Sequence, residues 1–166
     1  GFGEAIRAAL DFPVERLVLA VGGSASTDGG VAALMALGAQ FLNAQGVSVS
    51  LGGRGLGNLD RVVSALLRPP PVGGAVVLTD VTNPLLGPRG AAAVFGPQKG
   101  ATRRDVDELE SALVRLAEKL YGTKTRADEE ASVSGTGVGG GTGFGLRWWG
   151  AELQNGAQIA GDLMGL

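Results

Sequence analysis

The sequence contains no histidine and no cysteine, and these two absences exclude several kinds of chemistry. Without histidine, the chain cannot build a Ser-His-Asp or Cys-His relay of its own, or a histidine-ligated zinc site. Without cysteine, it cannot form disulfides, zinc ribbons or a thiol nucleophile. Its chemistry must therefore rest on carboxylates, lysine, arginine, hydroxyls, amides and the backbone. That set favours work on anions and phosphates over acyl transfer.

An excess of positive charge and a long hydrophobic run are also missing. Fourteen basic and sixteen acidic side chains give a net charge of -2, which does not suggest a nucleic-acid interface. The longest apolar stretch, residues 31–42, is interrupted by Gly38 and Gln40 and is too short to span a bilayer. No targeting segment is visible. We therefore expect neither a nucleic-acid nor a membrane partner, and a cytoplasmic location.

Glycine is the residue in excess, with 30 among 166 residues against a usual ~7%. The length and the 45% hydrophobic content predict one soluble domain, residues 1–166, with a core of its own. Phe2, Ile6 and Leu10 recur at helical spacing from the first residues, and apolar residues continue to the end. We therefore expect this domain to be part of a longer chain.

The apolar pattern predicts an α/β fold with a mixed sheet flanked by helices. Two apolar runs have the length of strands buried on both faces, and short antiparallel strands are expected between them. One segment, residues 59–67, is open between a strand with a turn and a short helix. The predicted strands are 16–21, 40–43, 47–51 and 75–79. The predicted helices are 2–10, 31–37, 89–95, 103–120 and 144–153.

The first candidate site follows the strand at 16–21. Glycines there permit close approach to a ligand, and neighbouring backbone N–H groups and hydroxyls can bind an anion. Asp28 could hold Mg²⁺ or act as a general base, or it could serve only as the N-cap of the next helix. The candidate binding residues of this loop are Gly22, Gly23, Ser24, Ser26, Thr27, Gly29 and Gly30.

The second candidate site follows the strand at 75–79. Asp80 and Asn83 could supply oxygens to a hard cation or bind a polar substrate, but Asn83-Pro84 is equally typical of a turn that Asp80 caps. Farther along, Lys99 lies in a turn rich in glycine and proline, where it could bind phosphate.

A third glycine cluster occupies residues 135–143 and contains G-x-G-x-x-G. As a dinucleotide motif it is weak, because no buried strand precedes it, so a nicotinamide-binding domain is a minor alternative. A P-loop is excluded because the chain has no Gly-Lys dipeptide. The candidate binding residues are Gly135, Gly137, Gly139 and Gly140.

Together the three segments resemble motifs of the bacterial type I glycerate kinases. The matching segments are GGSASTDGG at 22–30, DVTNPLLGPRGAAAVFGPQKG at 80–100, and the glycine loop at 135–143. They occur in the family's order and spacing. Three positions depart from the usual pattern: Thr27 replaces Asn, Ser134 replaces Pro and Gly139 replaces Ala. We expect the last two changes to loosen the third loop.

The resemblance implies transfer of the γ-phosphoryl group of ATP to a hydroxyl of D-glycerate, with Mg²⁺. It assigns Asp28 and Asp80 to metal binding or base catalysis and Lys99 to phosphate charge. The glycine-loop amides would bind the substrate carboxylate or the nucleotide phosphates. It also implies that this chain is the inserted domain of a two-domain enzyme, similar in fold to restriction endonucleases, without its flavodoxin-like partner domain.

Three expectations follow from that organisation. The chain alone should show no measurable kinase activity, because the site would lie between two domains. Apolar surface that the second domain would cover could lead to a homodimer. The alternative function is a non-catalytic module that binds small acids or anions on the same fold.

Overall fold

A computed structural model describes residues 1–156, which fold around one hydrophobic core. The strands are β1 (Leu17–Ala20), β2 (Gln40–Leu42), β3 (Arg61–Val63), β4 (Ala75–Thr79) and β5 (Glu152–Asn155). The helices are α1 (Phe2–Ala9), α2 (Val31–Ala36), α3 (Ala91–Phe95), α4 (Arg103–Tyr121), α5 (Lys124–Ala131) and α6 (Val138–Trp149). Gly53–Asn58 and Pro97–Lys99 are short 3₁₀ helices.

The main sheet is parallel and has the strand order β1-β4-β5. Leu17 pairs with Ala75, and Val76 pairs with Glu152. β2 and β3 pair antiparallel in a separate sheet. The predicted α/β class, with parallel and antiparallel pairing and flanking helices, is confirmed, although the two kinds of pairing lie in different sheets.

The outer strand β1 was expected to be buried on both faces, and that expectation is wrong. Leu17 and Leu19 are buried, whereas Val18 is 59% exposed and Ala20 is exposed. The central strand β4 is different, since Ala75, Val76 and Val77 are all buried. A continuous apolar run thus identifies both strands, but only tertiary position decides how many of their faces are covered.

The strand predicted at residues 47–51 does not form. Within this segment only Ser48 makes a β-bridge, to Leu42, while β2 takes β3 as its partner. Val49 is buried but Val47 and Leu51 are exposed, so only the middle residue of the alternating pattern packs into the core. The ambiguous segment 59–67 forms β3 followed by a turn at its end.

The most regular prediction, the helix at 103–120, is confirmed as α4. Thr102 and Asp105 form a reciprocal capping box at its start, and Gly122 ends it with a φ of +79°. The polar segment that follows forms α5, which the sequence analysis missed because that helix buries only two alanines, Ala127 and Ala131. A helix of this kind has little apolar periodicity, so its sequence pattern does not indicate it.

The last described helix ends earlier than predicted. The pattern indicated a helix at 144–153, but α6 ends at Trp149, where Gly150 adopts a φ of +110°. The chain then extends as β5 and adds a third strand to the sheet. Within residues 1–156 no helix is both long and apolar enough to cross a membrane.

Candidate functional site

The first two loops leave the same edge of the main sheet. β1 and β4 are neighbouring parallel strands, with Ala20 opposite Leu78. The first loop (residues 22–30) follows β1, and the second loop (residues 80–90) follows β4. Ligands of open α/β sheets bind beyond the carboxyl ends of strands, so both predicted loops lie in the expected region.

The third loop (residues 135–143) joins the other two through backbone hydrogen bonds. The N–H of Gly29 in the first loop donates to the carbonyl of Gly140 at 3.1 Å. The N–H of Gly137 donates to the carbonyl of Asn83 in the second loop at 2.9 Å. Three motifs that are far apart in the sequence therefore meet in one place.

Three consecutive glycines give the third loop its shape. Gly139, Gly140 and Gly141 have φ values of +62°, +72° and +89°, in the left-handed region that other residues rarely adopt. A Cβ atom at Gly140 would overlap the carbonyl oxygen of Ser26 and approach Nζ of Lys99 to 2.9 Å. Glycine is needed here both for the turn and for the close approach of two backbones.

Asp28 lies at the start of α2 and is only 2% exposed. Its Oδ1 accepts a hydrogen bond from Gly30 N at 3.1 Å, and its Oδ2 accepts one from Ala32 N at 3.1 Å. Both oxygens thus hold the first turn of α2, which is the capping alternative weighed above. The side chain still borders a cleft, where its remaining lone pairs can accept further bonds.

Hydroxyl groups line the first loop beside Asp28. Ser26 Oγ lies 3.4 Å from Asp28 Oδ1 and 3.3 Å from Ser24 Oγ. Gly22 and Gly23 are exposed in the same segment, whereas Thr27 is buried. The loop therefore presents a short row of hydroxyls that ends at a buried carboxylate.

Lys99 reaches the first loop from the turn after α3. Its Nζ donates to the Ser26 carbonyl at 2.5 Å and lies 3.4 Å from Thr27 Oγ1. Partial burial lowers the pKa of Lys99, and the nearby carboxylate of Asp28 partly opposes this by raising it. Since an ammonium has three N–H donors, one is left for a ligand after the two loop contacts.

The two polar residues of the second loop have different surroundings. The Asn83 side chain donates from Nδ2 to the Arg89 carbonyl at 2.7 Å, which closes its own loop and matches the turn alternative. Asp80 is exposed at the end of β4 and makes no hydrogen bond or ion pair within residues 1–156. Asp80 borders neither of the two clefts described next.

The first loop forms a wall between two clefts. Ser24, Ser26 and Asp28 line a cleft of about 710 Å³ that is bounded by α1 and α2. Ala25 and Thr27 line a cleft of about 980 Å³ on the other side, together with Lys99. Successive side chains from Ser24 to Asp28 therefore alternate between the two clefts.

Sequence reasoning missed several residues that line these clefts. Thr142 is buried at the first cleft and donates from Oγ1 to the Gly139 carbonyl at 2.8 Å. Its position directly after the three consecutive glycines 139–141 is the signal that could have identified it. Three arginines, Arg54, Arg104 and Arg115, border the larger cleft, and no sequence motif brings them together.

No described residues form a ready-made metal cage. Among residues 1–156, no group of three or more aspartate, glutamate, histidine or cysteine side chains is arranged to hold a metal ion. Mg²⁺ commonly binds through one or two carboxylates together with substrate phosphates and water. The exposed carboxylate of Asp80 fits that mode, whereas both oxygens of Asp28 already accept backbone hydrogen bonds.

Comparison with known proteins gives a consistent result. The glycerate kinase family model matches residues 1–166. A glycerate kinase of Haemophilus influenzae is 41% identical over 170 residues, covering 100% of this chain and 44% of that protein. A glycerate kinase of Bacillus subtilis is 42% identical over 164 residues, covering 96% of this chain and 42% of that protein.

A solved structure agrees with the sequence comparisons. A crystal structure assigned provisionally as glycerate kinase 2 of Salmonella typhimurium LT2 superimposes with a TM-score of 0.86 at 39% identity. The match covers 98% of this chain and 43% of that one. The chain therefore spans less than half the length of these relatives, and it belongs to the glycerate kinase family.

Proposed function

We propose that this domain forms part of a kinase that transfers the γ-phosphoryl group of ATP to a hydroxyl of D-glycerate, giving a phosphoglycerate. The observation that carries the proposal is the meeting of three glycine-rich motifs in one place, with the ammonium group of Lys99 bonded to the first loop. Phosphoryl transfer depends on positioning and charge stabilisation more than on a covalent nucleophile. A chain without histidine or cysteine can meet those needs.

Lys99 is the cation that we assign to phosphate. Its ammonium group is anchored by the Ser26 carbonyl and lies partly buried at the edge of the larger cleft. An anchored cation loses less conformational entropy when an anion binds, so it stabilises developing charge more effectively than a free surface lysine. The proposal therefore gives Lys99 the largest share of the charge stabilisation among residues of this domain.

The first and third loops supply the remaining contacts. Ser24, Ser26 and Thr27 offer hydroxyls, and the backbone at Gly22, Gly23, Gly29 and Gly30 can approach an anion closely. In the third loop, we propose the same role for the backbone at Gly135, Gly139 and Gly140, whereas Gly137, whose N–H donates to the Asn83 carbonyl, shapes the loop. These groups would bind the glycerate carboxylate or the nucleotide phosphates and orient them for transfer.

ATP and Mg²⁺ would supply the transferred group and the neutralisation of its negative charge. We assign Asp80 as the first candidate ligand for Mg²⁺, because its carboxylate is exposed and not engaged elsewhere in the described structure. Asp28 is the second candidate, as a ligand or as the group that accepts the proton of the substrate hydroxyl. Asn83 would assist as a nearby oxygen donor from the same loop as Asp80.

We also propose that a second, flavodoxin-like domain completes the site. The relatives are more than twice as long as this chain, and both clefts beside the first loop are open. On this proposal, the isolated chain binds ligands weakly and does not turn over, and the kinase works in the cytoplasm, where ATP is plentiful. Without that domain, the exposed surface could support a homodimer.

One observation favours a second candidate function, a non-catalytic module that binds small acids or anions. Both oxygens of Asp28 hold the first turn of α2, which is a structural role that needs no catalysis. A module of this kind would keep the loops and Lys99 but would not require Asp80. The two functions therefore differ in what they predict for Asp80.

A chimera tests the proposed function. This chain replaces the matching 170-residue segment of the Haemophilus influenzae relative, and phosphorylation of D-glycerate is measured with ATP and Mg²⁺. We expect an active chimera, a loss of activity of about 100-fold or more in Lys99→Ala, and a comparable loss in Asp80→Asn. Lys119→Ala, at a lysine bridged to Asp60 on the surface of α4, is the matched control.

The outcomes separate the two functions. A folded chimera that binds D-glycerate without turnover, as shown by calorimetry, favours the binding module. Full activity of Asp80→Asn removes Asp80 from metal binding. Turnover by the isolated chain would show that the second domain is not needed for catalysis.

A further inference from the structure

A carboxylate lies on the buried face of α4, outside all three motifs. Glu110 follows Val106 by four residues and precedes Leu113 by three and Ala117 by seven, so it belongs to the same helical stripe. Leu113 and Ala117 are each only 1% exposed. Acidic residues rarely occupy such a stripe unless they are paired. The pattern of α4 alone would favour an apolar residue at this position.

The two carboxylate oxygens of Glu110 are in unequal environments. Oε1 accepts a hydrogen bond from the Gly87 N–H at 2.6 Å, which is short and typical of a charged acceptor. Oε2 is buried and has no hydrogen-bond partner among the described residues. A buried oxygen without a partner is destabilising. The hydrogen bond to Gly87 is therefore the one contact that explains a carboxylate here.

Gly87 is the bend of the second loop. It has a φ of +85°, and its carbonyl accepts from Gly90 N at 2.8 Å. At the other end of the same loop, the Asn83 carbonyl holds Gly137 N, and the Asn83 side chain binds the Arg89 carbonyl. Glu110 is thus connected to the third loop through a short, closed segment of backbone.

We propose that Glu110 is a positioning residue for the glycine-loop site: its carboxylate holds the bend at Gly87 so that the second loop keeps the third loop in place at Gly137. It touches no substrate and acts through these two amides. The proposal rests on the proposed function, because it gives α4 a role in shaping the site where phosphoryl transfer would occur.

Amide hydrogen exchange at Gly87 and Gly137, measured by NMR on the whole chain, tests the proposal. Glu110→Gln keeps an acceptor oxygen but removes the charge, and Glu110→Leu removes the acceptor while suiting the apolar stripe. We expect exchange at both amides to rise from Glu to Gln to Leu, by roughly 10- to 100-fold in the leucine variant. Glu118→Leu, at an exposed position of the same helix, is the control and should change neither amide.

A purely structural role predicts a different result. If Glu110 only filled space, leucine would pack at least as well, and protection at Gly137 would be unchanged or greater. Unchanged exchange at Gly137 in both variants overturns the proposal, and so does a change at Gly87 that does not reach Gly137. If the leucine variant does not fold, the comparison between glutamate and glutamine still decides.

The exchange measurement needs no substrate, so it is independent of the kinase assay. Graded exchange together with an inactive chimera would contradict the proposed function and leave the positioning intact. An active chimera together with unchanged amide exchange in the Glu110 variants would support the proposed function and contradict the positioning role of Glu110. If both proposals hold, Glu110→Leu in the chimera should lower kcat, while Glu118→Leu should not.

Discussion

The loops that follow β1 and β4 leave the same edge of the sheet, yet they hold their aspartates in opposite ways. Asp28 in the first loop is buried, with both oxygens bonded to the backbone of α2. Asp80 in the second loop is exposed and makes no hydrogen bond or ion pair within residues 1–156. The difference teaches that similar positions after parallel strands can separate a carboxylate that builds the site from one that is free to bind a ligand.

The largest effect is expected where the first loop contacts the third. Gly140→Ala should destabilise the fold by about 2–4 kcal/mol, because alanine is strained in a left-handed turn and its Cβ would overlap the Ser26 carbonyl. Urea unfolding measures the change. Gly74→Ala is a matched control, since its φ is +84° but no atom lies within 4 Å of the added Cβ.

The Gly74→Ala control separates the cost of backbone strain from the cost of the clash with Ser26. We expect Gly74→Ala to cost about 1–2 kcal/mol, the conformational cost alone. Equal losses in the two variants would mean that contact between the loops contributes nothing. The close approach of the Gly140 and Ser26 backbones described above would then be wrong.

The two aspartates provide the second test. Asp28→Ala should destabilise the domain by about 2 kcal/mol, because two backbone N–H groups lose a charged acceptor. Asp80→Ala should change the free energy of unfolding by less than about 0.5 kcal/mol, as is usual for an exposed side chain without partners. Thermal or urea unfolding of the two variants, measured side by side, gives the difference.

A larger loss of stability in Asp80→Ala than in Asp28→Ala would contradict the comparison between the loops. If Asp80→Ala were the more damaging change, Asp80 would have to hold structure, and its assignment to a metal ion would lose its main support. Asp28→Asn offers a finer test, because asparagine keeps one acceptor oxygen and should recover part of the loss.

The second loop is closed by its own side chain. Asn83→Ala should cost about 1 kcal/mol, because the hydrogen bond from Nδ2 to the Arg89 carbonyl is lost. Asn83→Asp should be no better, since a carboxylate has no N–H to donate to a carbonyl. Urea unfolding measures both variants, and a stable Asn83→Asp variant would show that the amide donor is not what closes the loop.

The smallest effect is a dependence on pH that belongs to the first loop. Burial lowers the pKa of Lys99 in the folded state, so the unfolded chain binds more protons as the pH approaches the ordinary lysine value. Stability therefore rises with pH in that window, as the neutral form becomes available in the fold. Relative to Lys99→Met, the unsubstituted chain should gain stability as the pH rises towards the ordinary lysine pKa.

The control for this measurement is Lys119→Met, at a lysine on the surface of α4. Both variants remove one lysine charge, so a difference between their stability profiles isolates the surroundings of Lys99. If the free energy of unfolding changed with pH in the same way for Lys99→Met and the unsubstituted chain, contact with the first loop would not desolvate Lys99.

Local patterns in the sequence were enough for the regular elements. The capping box at Thr102 and the apolar spacing of the residues after it predicted α4 almost to the residue. The apolar runs predicted β1 and β4, and with them the two loops at one sheet edge. By contrast, α5 has almost no apolar periodicity, and the alternating segment at 47–51 forms a single bridge, from Ser48 to Leu42, instead of a strand.

The candidate site was predictable in its parts but not in its arrangement. Glycines, hydroxyls and carboxylates after strands identified the loops, because those residue types have specific conformational and chemical uses. The lysine at position 99 was identified, but not that it would bond to the Ser26 carbonyl in another loop. Glu110 was missed, because a charge on an amphipathic helix is ordinarily assigned to the exposed face.

The sequence by itself determined the chemical inventory, the regular elements and the family resemblance, since these depend on residue type and spacing along the chain. Only the tertiary structure decided which carboxylate is hydrogen-bonded to the backbone and which is exposed. It also decided at which glycines a larger side chain would not fit, and that β5 follows α6. These properties depend on what each residue meets from distant segments. For Asp28 and Asp80, that environment is the entire difference between two residues that look alike in the sequence.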